Sequence, residues 1–386
     1  MFSRARFPES AEERAERVVK DIKKLGLGPA AAPREAGGLE SIGPKSPSLQ
    51  EVERRIESNL NAASPGTTEL ARAVANKTAR EGIDLAASLA GGHVSHRDLN
   101  AGQLANLEAV IQVIGRPAWF VEGDAPDTSA ATAKDDFWIA YINAAQGAIL
   151  DICARVGCIM IGSAEPFVPV ATGWVIGRNT LVTNAHVAGA VARQNAALAS
   201  TDARQGWRLR TDRPAVVDFR FEKGGSKHSR FALDEVLYVE GGDKPDLAIF
   251  RLKPPTADAA GGMPSPIVMD LKAQSNGWSK RNVFVAGHPI KDLADDQNVF
   301  KVFGELDGTK RFSPGCVLEL LGTDVLAHDC STSNGSSGSP LVDFASSKVV
   351  GLHYFGRPGA RNEAVLLSAI ADHPAIVRSQ TGEWGI

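Results

Sequence analysis

A mainly β fold, an antiparallel barrel or sandwich behind a helical front section, is what this sequence predicts, and three observations carry the prediction. From Cys158 onward, short apolar runs alternate with turn residues, and long helical stretches are few. Upstream, apolar residues recur at helical spacing inside charged segments. At 386 residues the chain exceeds the usual single-domain size, so two folding units, each with its own core, are expected. A helical module over 1–150 and a β domain over 151–386 divide the chain between them.

Taken in order, the first expected helix covers residues 11 to 25, where Val18, Val19, Ile22 and Leu25 share one side of a charged segment. A stretch rich in Gly, Pro and Ser follows to about residue 48. A second helix carries Leu49, Val52, Ile56 and Leu60, and a third carries Leu70, Val74, Ile83, Leu85 and Leu89. Asn100 can cap a fourth, which runs through Leu104, Leu107, Val110 and Ile111 to Gly115, where Arg116-Pro117 stops it. Ala118-Trp119-Phe120-Val121 then reads as a short strand. After a polar break at 122–135, Phe137, Trp138, Tyr141, Ile142, Ile149 and Ile152 predict one helix leading into the β domain. The strands expected there are 158–163, 170–183, 215–222, 231–240, 246–252, 282–287, 315–321, 325–329, 339–342, 348–355 and 363–369.

Bulk properties exclude several function classes. A net charge of −3, with both signs interspersed, makes no electrostatic case for nucleic acid or an anionic membrane. The opening Met1-Phe2-Ser3-Arg4-Ala5-Arg6 lacks the apolar core of a signal peptide, and a cytoplasmic location is expected. Cys153, Cys158, Cys316 and Cys330 form no CxxC pair and read as small buried apolar residues rather than metal ligands or disulfides. No metal and no cofactor is called for.

The chemistry concentrates in three segments. Thr183-Asn184-Ala185-His186 follows two strands joined at Gly177 to Asn179, so the imidazole emerges at a strand end. Asp246 opens the apolar run Asp246-Leu247-Ala248-Ile249-Phe250-Arg251-Leu252, which draws the carboxylate inward and leaves it needing a partner. Ser337 lies in Gly335-Ser336-Ser337-Gly338-Ser339-Pro340. A seryl hydroxyl becomes a nucleophile near neutral pH when an imidazole takes its proton and a carboxylate fixes that imidazole's tautomer. Gly335 permits a backbone that aims the N–H groups of Gly335 and Ser337 at one oxyanion, each donor worth about 3–4 kcal/mol in the transition state. Any one of these residues alone is ordinary turn or strand-end chemistry. Their combination, in the order His, Asp, Ser, predicts a hydrolase, with Asp243 as the alternative acid.

The segments around His186, Asp246 and Ser337 resemble the three signature blocks of trypsin-like, chymotrypsin-fold serine peptidases over about 155–386. Within that family, His328-Asp329-Cys330-Ser331-Thr332-Ser333-Asn334-Gly335-Ser336-Ser337-Gly338-Ser339-Pro340 is similar to bacterial glutamyl endopeptidase-like members. The resemblance implies two six-stranded antiparallel β-barrels with the triad between them. It also implies that Thr332 and His353 contact a substrate carboxylate, with no acidic pocket floor at Ser331. Ser336 stands where many secreted members keep an acidic residue that pairs with a newly cut amino terminus, so control is expected from residues 1–150 or from a partner protein. The expected function is an intracellular endopeptidase acting on proteins or peptides. A silent protease-fold scaffold is the alternative.

Overall fold

The computed structural model describes residues 49–63, 66–95, 98–129, 131, 135–195, 197, 206–240, 245–254, 262–272, 277–291, 298–356 and 361–383, together with Val18, Val19 and Ile22. The chain divides into two compact units. One comprises residues 1–117, 129–137 and 294–305; the other comprises 118–128, 138–293 and 306–386. A short internal segment, 294–305, thus leaves the β half of the sequence and belongs to the helical unit.

The helical unit is built from α1 (Leu49–Ala63), α2 (Thr68–Ala90) and α3 (Ala101–Gly115). Asn100 caps α3 as the sequence predicts: its Oδ1 accepts the Gln103 N–H at 2.9 Å, and Gln103 Oε1 accepts the Asn100 N–H at 3.0 Å. Of the expected helix over 11–25, Val18, Val19 and Ile22 are described and helical, and Val18 and Ile22 pack with Ala86, Leu89, Leu104 and Leu107. The rest of that helix lies outside the described residues. The internal segment contributes a helix to the same unit, here numbered in chain order as the seventh (Asn298–Phe303). Asn59 Nδ2 of α1 donates to the Lys301 and Val302 carbonyls at 2.7 and 3.0 Å, satisfying two of the acceptors that a helix end exposes. Lys301 Nζ donates to Asn106 Oδ1 of α3 at 2.9 Å.

In the second unit, β1 (Trp119–Glu122) and β2 (Ala125–Pro126) form a hairpin. The single helix expected next is two, α4 (Asp136–Ala144) and α5 (Gln146–Cys153), because Ala145 leaves helical geometry at φ −109. Trp138 and Tyr141 of α4 pack on Phe344, which sits beside Phe284 and Phe312.

The first barrel joins β3 (Val156–Ile161), β4 (Val168–Gly177), β5 (Thr180–Thr183), β8 (Ala215–Asp218), β9 (Arg230–Val239) and β10 (Ala248–Leu252) in the closed order β10-β5-β4-β3-β8-β9. Between β5 and β8 lie α6 (Ala185–Val191), β6 (Ala192–Gln194) and β7 (Trp207–Leu209). The second barrel consists of β11 (Asn282–Gly287), β12 (Arg311–Leu321), β13 (Val325–His328), β14 (Pro340–Asp343), β15 (Lys348–Phe355) and β16 (Asn362–Leu366). Its order β11-β14-β15-β16-β13-β12 closes through a β11–β12 pairing, and β1 adds to the outside of β12. The helix over Asn298–Phe303 is α7, and α8 (Pro374–Thr381) follows the last barrel strand. The chymotrypsin-like architecture expected from the sequence, two six-stranded barrels with a helical region before them, is the one observed.

Each barrel closes on its own apolar interior. Ile159, Val175, Leu181, Val217, Phe231 and Phe250 fill the first, and Val283, Val285, Leu326, Leu341, Val350 and Leu366 fill the second. Among the described residues, closure pairs every barrel strand on both sides, which avoids the open edge that antiparallel sheets otherwise face. Lys310, fully buried at the start of β12, donates Nζ to the Cys153 carbonyl at 2.7 Å, the Phe219 carbonyl at 2.8 Å and Glu222 Oε1 at 2.9 Å. Three acceptors around one ammonium offset the cost of taking it out of water, and they tie α5 and the β8–β9 connection to β12.

Candidate active site

The residues singled out in the sequence lie in the second unit, on elements of both barrels. Thr183 ends β5, Asn184 turns the chain, and His186 stands in the first turn of α6. Because β10 pairs with β5 at Ala248↔Thr183, the antiparallel register continued outward sets Asp246 beside the start of α6. The carboxylate uses both oxygens there. Its Oδ1 accepts the His186 backbone N–H at 3.1 Å, one of the donors that a helix start leaves unpaired, and its Oδ2 lies 2.7 Å from His186 Nδ1. An ionised carboxylate only accepts, so Nδ1 carries the hydrogen and Nε2 is left with its lone pair. Asn184 Nδ2 donates to the Asp246 carbonyl at 3.0 Å and holds the segment from the other side. The imidazole is 45% exposed while Asp246 is 20% exposed, which suits a group that must meet substrate and one that must not. Asp243, the alternative acid, lies outside the described residues.

Ser337 sits between two successive turns. The Ser336 N–H donates to the Ser333 carbonyl at 3.0 Å, with Gly335 at φ 81; the Ser339 N–H donates to the Ser336 carbonyl at 3.0 Å, with Gly338 at φ 89. Both have the geometry of type II turns, whose third position needs positive φ and so favours glycine. Gly338 is required for space as well: a Cβ there would stand 2.1 Å from the Thr172 carbonyl and 2.4 Å from Thr183 Oγ1. The Ser337 loop is thereby pressed against the segment that leads to His186. Among the described residues, the N–H groups of Ser336, Gly338 and Ser339 are donated to protein carbonyls, whereas those of Gly335 and Ser337 are not. Those two were the donors that the sequence assigned to an oxyanion.

Several residues that hold this arrangement escaped the sequence reading. Thr172, fully buried in β4, donates its hydroxyl to the Gly335 carbonyl at 2.7 Å, accepts the His288 N–H at 2.9 Å on the same oxygen, and donates its backbone N–H to the Ser337 carbonyl at 3.0 Å. The Ile290 N–H donates to the Asn334 carbonyl at 2.7 Å. Of the proposed substrate-contact residues, Thr332 and His353 are both buried. Thr332 Oγ1 lies 2.8 Å from Asn362 Oδ1, and His353 Nδ1 lies 3.2 Å from His328 Nε2. The backbone of His353 brackets the nucleophile loop, accepting the Gly338 N–H and donating to the Ser339 carbonyl, each at 2.9 Å. Burial pushes His288 and His328 down to about 3 and His353 well below the ordinary histidine value. Among the described residues no group of three His, Cys, Asp or Glu side chains could hold a metal, and no helix is long and apolar enough to cross a membrane.

Two outcomes follow from this geometry. Thr172→Val keeps the shape but strands the Gly335 carbonyl and the His288 N–H. We expect a loss of about 1–3 kcal/mol for each stranded group in urea unfolding, and a much larger fall in the rate at which a fluorophosphonate labels Ser337. An unchanged labelling rate would show that the loop does not depend on this hydroxyl. The second concerns acid. Unfolded histidines take up protons near pH 6.5, but His288, His328 and His353 stay neutral in the fold. The unfolded state therefore binds more protons, and stability falls as pH drops below about 6.5 toward about 3, by up to about 1.4 kcal/mol per pH unit for each histidine. His328→Gln should flatten that slope by about one proton, measured as unfolding free energy against pH.

Comparison with known proteins agrees with the order of the segments. Residues 171–352 match the sequence profile of the trypsin-like peptidase domain. The glutamyl endopeptidase of Staphylococcus aureus strain MW2 is 27% identical over 200 residues, which are 52% of this chain and 50% of that protein. That of strain MRSA252 is 26% identical, over 52% of this chain and 46% of its own length. The chain thus spans about half the length of the curated relatives it matches. Among solved structures, the active form of the Rv3671c protease from M. tuberculosis aligns with a TM-score of 0.37 at 16% identity, covering 62% of this chain and 87% of that one. A scabies mite inactivated protease paralogue aligns with a TM-score of 0.38 at 13% identity, covering 60% and 96%. Over residues 171–352, a span that takes in His186, Asp246 and Ser337, the chain carries a segment that matches the trypsin-like peptidase domain.

Proposed function

We propose that the chain is a serine endopeptidase in which Ser337 attacks the scissile carbonyl, His186 takes its proton and Asp246 holds the imidazole. The observation that carries this reading is the two-point grip of Asp246 on His186, at 3.1 Å to its backbone N–H and 2.7 Å to Nδ1, because it leaves Nε2 as the only free base. The acyl-enzyme then forms at Ser337, with the oxyanion held by the N–H groups of Gly335 and Ser337. His186 returns its proton to the leaving amine and later activates a water to release the product. The activity of the relatives on glutamyl bonds, together with Thr332 and His353 beside the Ser337 loop, supports a side chain of glutamate shape before the cut. Neutral histidines bring no fixed cation, so hydrogen bonds rather than an ion pair would read that side chain.

The helical unit is read as a controlling element. Ser336 is buried and its Oγ accepts the Ser333 N–H at 3.3 Å, so it has a local use and offers no carboxylate for a new amino terminus. The segment 294–305 supplies another route of control. It belongs to the helical unit, yet it continues from Ile290, which is bonded to the turn that contains Gly335.

Ser337→Ala should abolish peptide hydrolysis and fluorophosphonate labelling while the fold is retained. His186→Ala should be comparably damaging, and Asp246→Asn somewhat less so, by analogy with triads in which the loss reaches about 10⁴-fold. Hydrolysis at the wild-type rate by Ser337→Ala would remove Ser337 from the role. An inert wild type would favour the scaffold alternative, and a clear preference for Arg, Lys or large aromatics would sink the pocket reading.

For the helical unit the variant is Asn59→Ala, which removes the donor to two carbonyls at the end of α7. It should change kcat/KM on a short peptide by several-fold, on the order of 1 kcal/mol for two weakened hydrogen bonds. A rise identifies restraint and a fall identifies support. Unchanged kinetics in a folded variant would withdraw the unit from the reaction.

A further inference from the structure

Resting on the reading of Thr332 and His353 as the residues that meet the side chain before the cut, the next step concerns which hydrogens that pocket has to offer. Asn362 begins β16, and its Nδ2 lies 2.5 Å from the Cys330 carbonyl oxygen. A carbonyl oxygen only accepts, so the amide is fixed with its nitrogen toward Cys330 and its Oδ1 toward Thr332. Thr332 Oγ1 lies 2.8 Å from that Oδ1. Since Oδ1 cannot donate, Thr332 gives it the only hydrogen of the hydroxyl, and what remains on Thr332 is lone pairs.

Both partners are 5% exposed, so water does not readily substitute for either bond. Gly356 lies directly over the pair: a Cβ at that position would stand 2.1 Å from Asn362 Oδ1 and 2.7 Å from Thr332 Oγ1. The glycine keeps this spot free of a side chain. His353, at 2% exposure, is held neutral by burial and faces His328, so neither imidazole brings a positive charge to the pocket.

We propose that Asn362 is a specificity-determining residue: by taking the hydrogen of Thr332, it makes the pocket select a side chain that brings its own donor, the carboxamide of glutamine over the carboxylate of glutamate. A carboxylate only accepts. Seated against the lone pairs of Thr332, and near Asn362 Oδ1, it gives up water without gaining a matching hydrogen. A carboxamide donates N–H to Thr332 and keeps its oxygen for any remaining donor. Sites built around a specific hydrogen-bond pattern reject the mismatched analogue far more strongly than apolar pockets reject a change of size.

The test uses two peptides that differ only in Gln or Glu before the cut, with the full chain at neutral pH and active sites counted by fluorophosphonate labelling. The wild type is expected to show kcat/KM for Gln above that for Glu by about tenfold or more. Asn362→Ala returns the hydroxyl hydrogen to the pocket and should shift the ratio about tenfold toward Glu. Thr332→Val, which keeps the shape and removes the acceptor, should lower cleavage after Gln by about tenfold and narrow the ratio. A wild type that prefers Glu overturns the proposal, as does an unmoved ratio in Asn362→Ala. If that variant fails to fold, an unmoved ratio in Thr332→Val overturns it instead. A labelled enzyme that cleaves neither peptide but accepts another side chain overturns the pocket reading beneath the proposal, and failure to label Ser337 overturns the peptidase reading itself.

Discussion

The hydroxyl of Thr172 joins three pieces of chain that the covalent backbone keeps far apart. It belongs to β4 of the first barrel, donates to Gly335 in the nucleophile loop, and accepts from His288 at the end of β11 in the second barrel. Its carbonyl accepts from Thr183 Oγ1 at 2.8 Å, three residues before His186, and limits the space at Gly338. The segments that carry His186 and Ser337 are therefore held together by one residue that touches both. A triad whose members come from different barrels needs such a common reference, because a displacement of about 1 Å at the reacting atoms is enough to cost orders of magnitude in rate.

A second constraint runs through the same region: the buried titratable groups near the site end either in a compensated charge or in neutrality. Lys310 is surrounded by two carbonyls and the Glu222 carboxylate, and Asp218 is held below the usual carboxylate range despite its burial by two backbone N–H groups, Arg230 and His228. The histidines take the other course. The imidazole of His288 donates through Nδ1 to the Gly308 carbonyl at 2.8 Å, and burial plus the nearby Lys310 ammonium keeps it uncharged. His328 is pushed the same way by burial, and His353 by burial and then by the neighbouring His328 and His186. Charge is thus spent on holding β12 and the β8–β9 connection, while His328 and His353 stay uncharged. On the proposed reading of Thr332, hydrogen-bond direction is then the means of selection.

How much of this was legible in the sequence follows the range of the interactions. The barrel strands were readable because alternation and turn residues are local, and so was the Asn100 cap of α3. His186, Asp246 and Ser337 stood out because each has a distinctive flank. The short helices α6 and α7 did not, since seven and six residues give too few turns for a period to emerge. By contrast α8 carried a readable signal that went unused: His373-Pro374 at its start and Gly382, at φ 76, just past its end. Thr172, His328 and Asn362 were beyond reach because their roles are defined by partners 163, 25 and 30 residues away. A threonine in an apolar strand or an asparagine opening one says nothing by itself about which buried group it will meet.

The same limit explains why the sequence assigned residues 294–305 to the peptidase half. Between β11 and β12 the chain first builds a stapled stem. The Gly308 N–H donates to the Pro289 carbonyl at 3.1 Å, the Lys291 N–H donates to the Leu306 carbonyl at 3.0 Å, and Ile290 bridges Asp307. Ile290 also fills the space that a Cβ on Gly335 would occupy, and its N–H is bonded to the Asn334 carbonyl. Beyond the stem the chain enters the helical unit at residue 294 and leaves it at 305. The stem thus holds the turn that presents the Gly335 N–H through bonds made within the second unit alone. Preorganised donors are worth most when they need not rearrange as an oxyanion forms, and a fixed turn at Gly335 meets that condition.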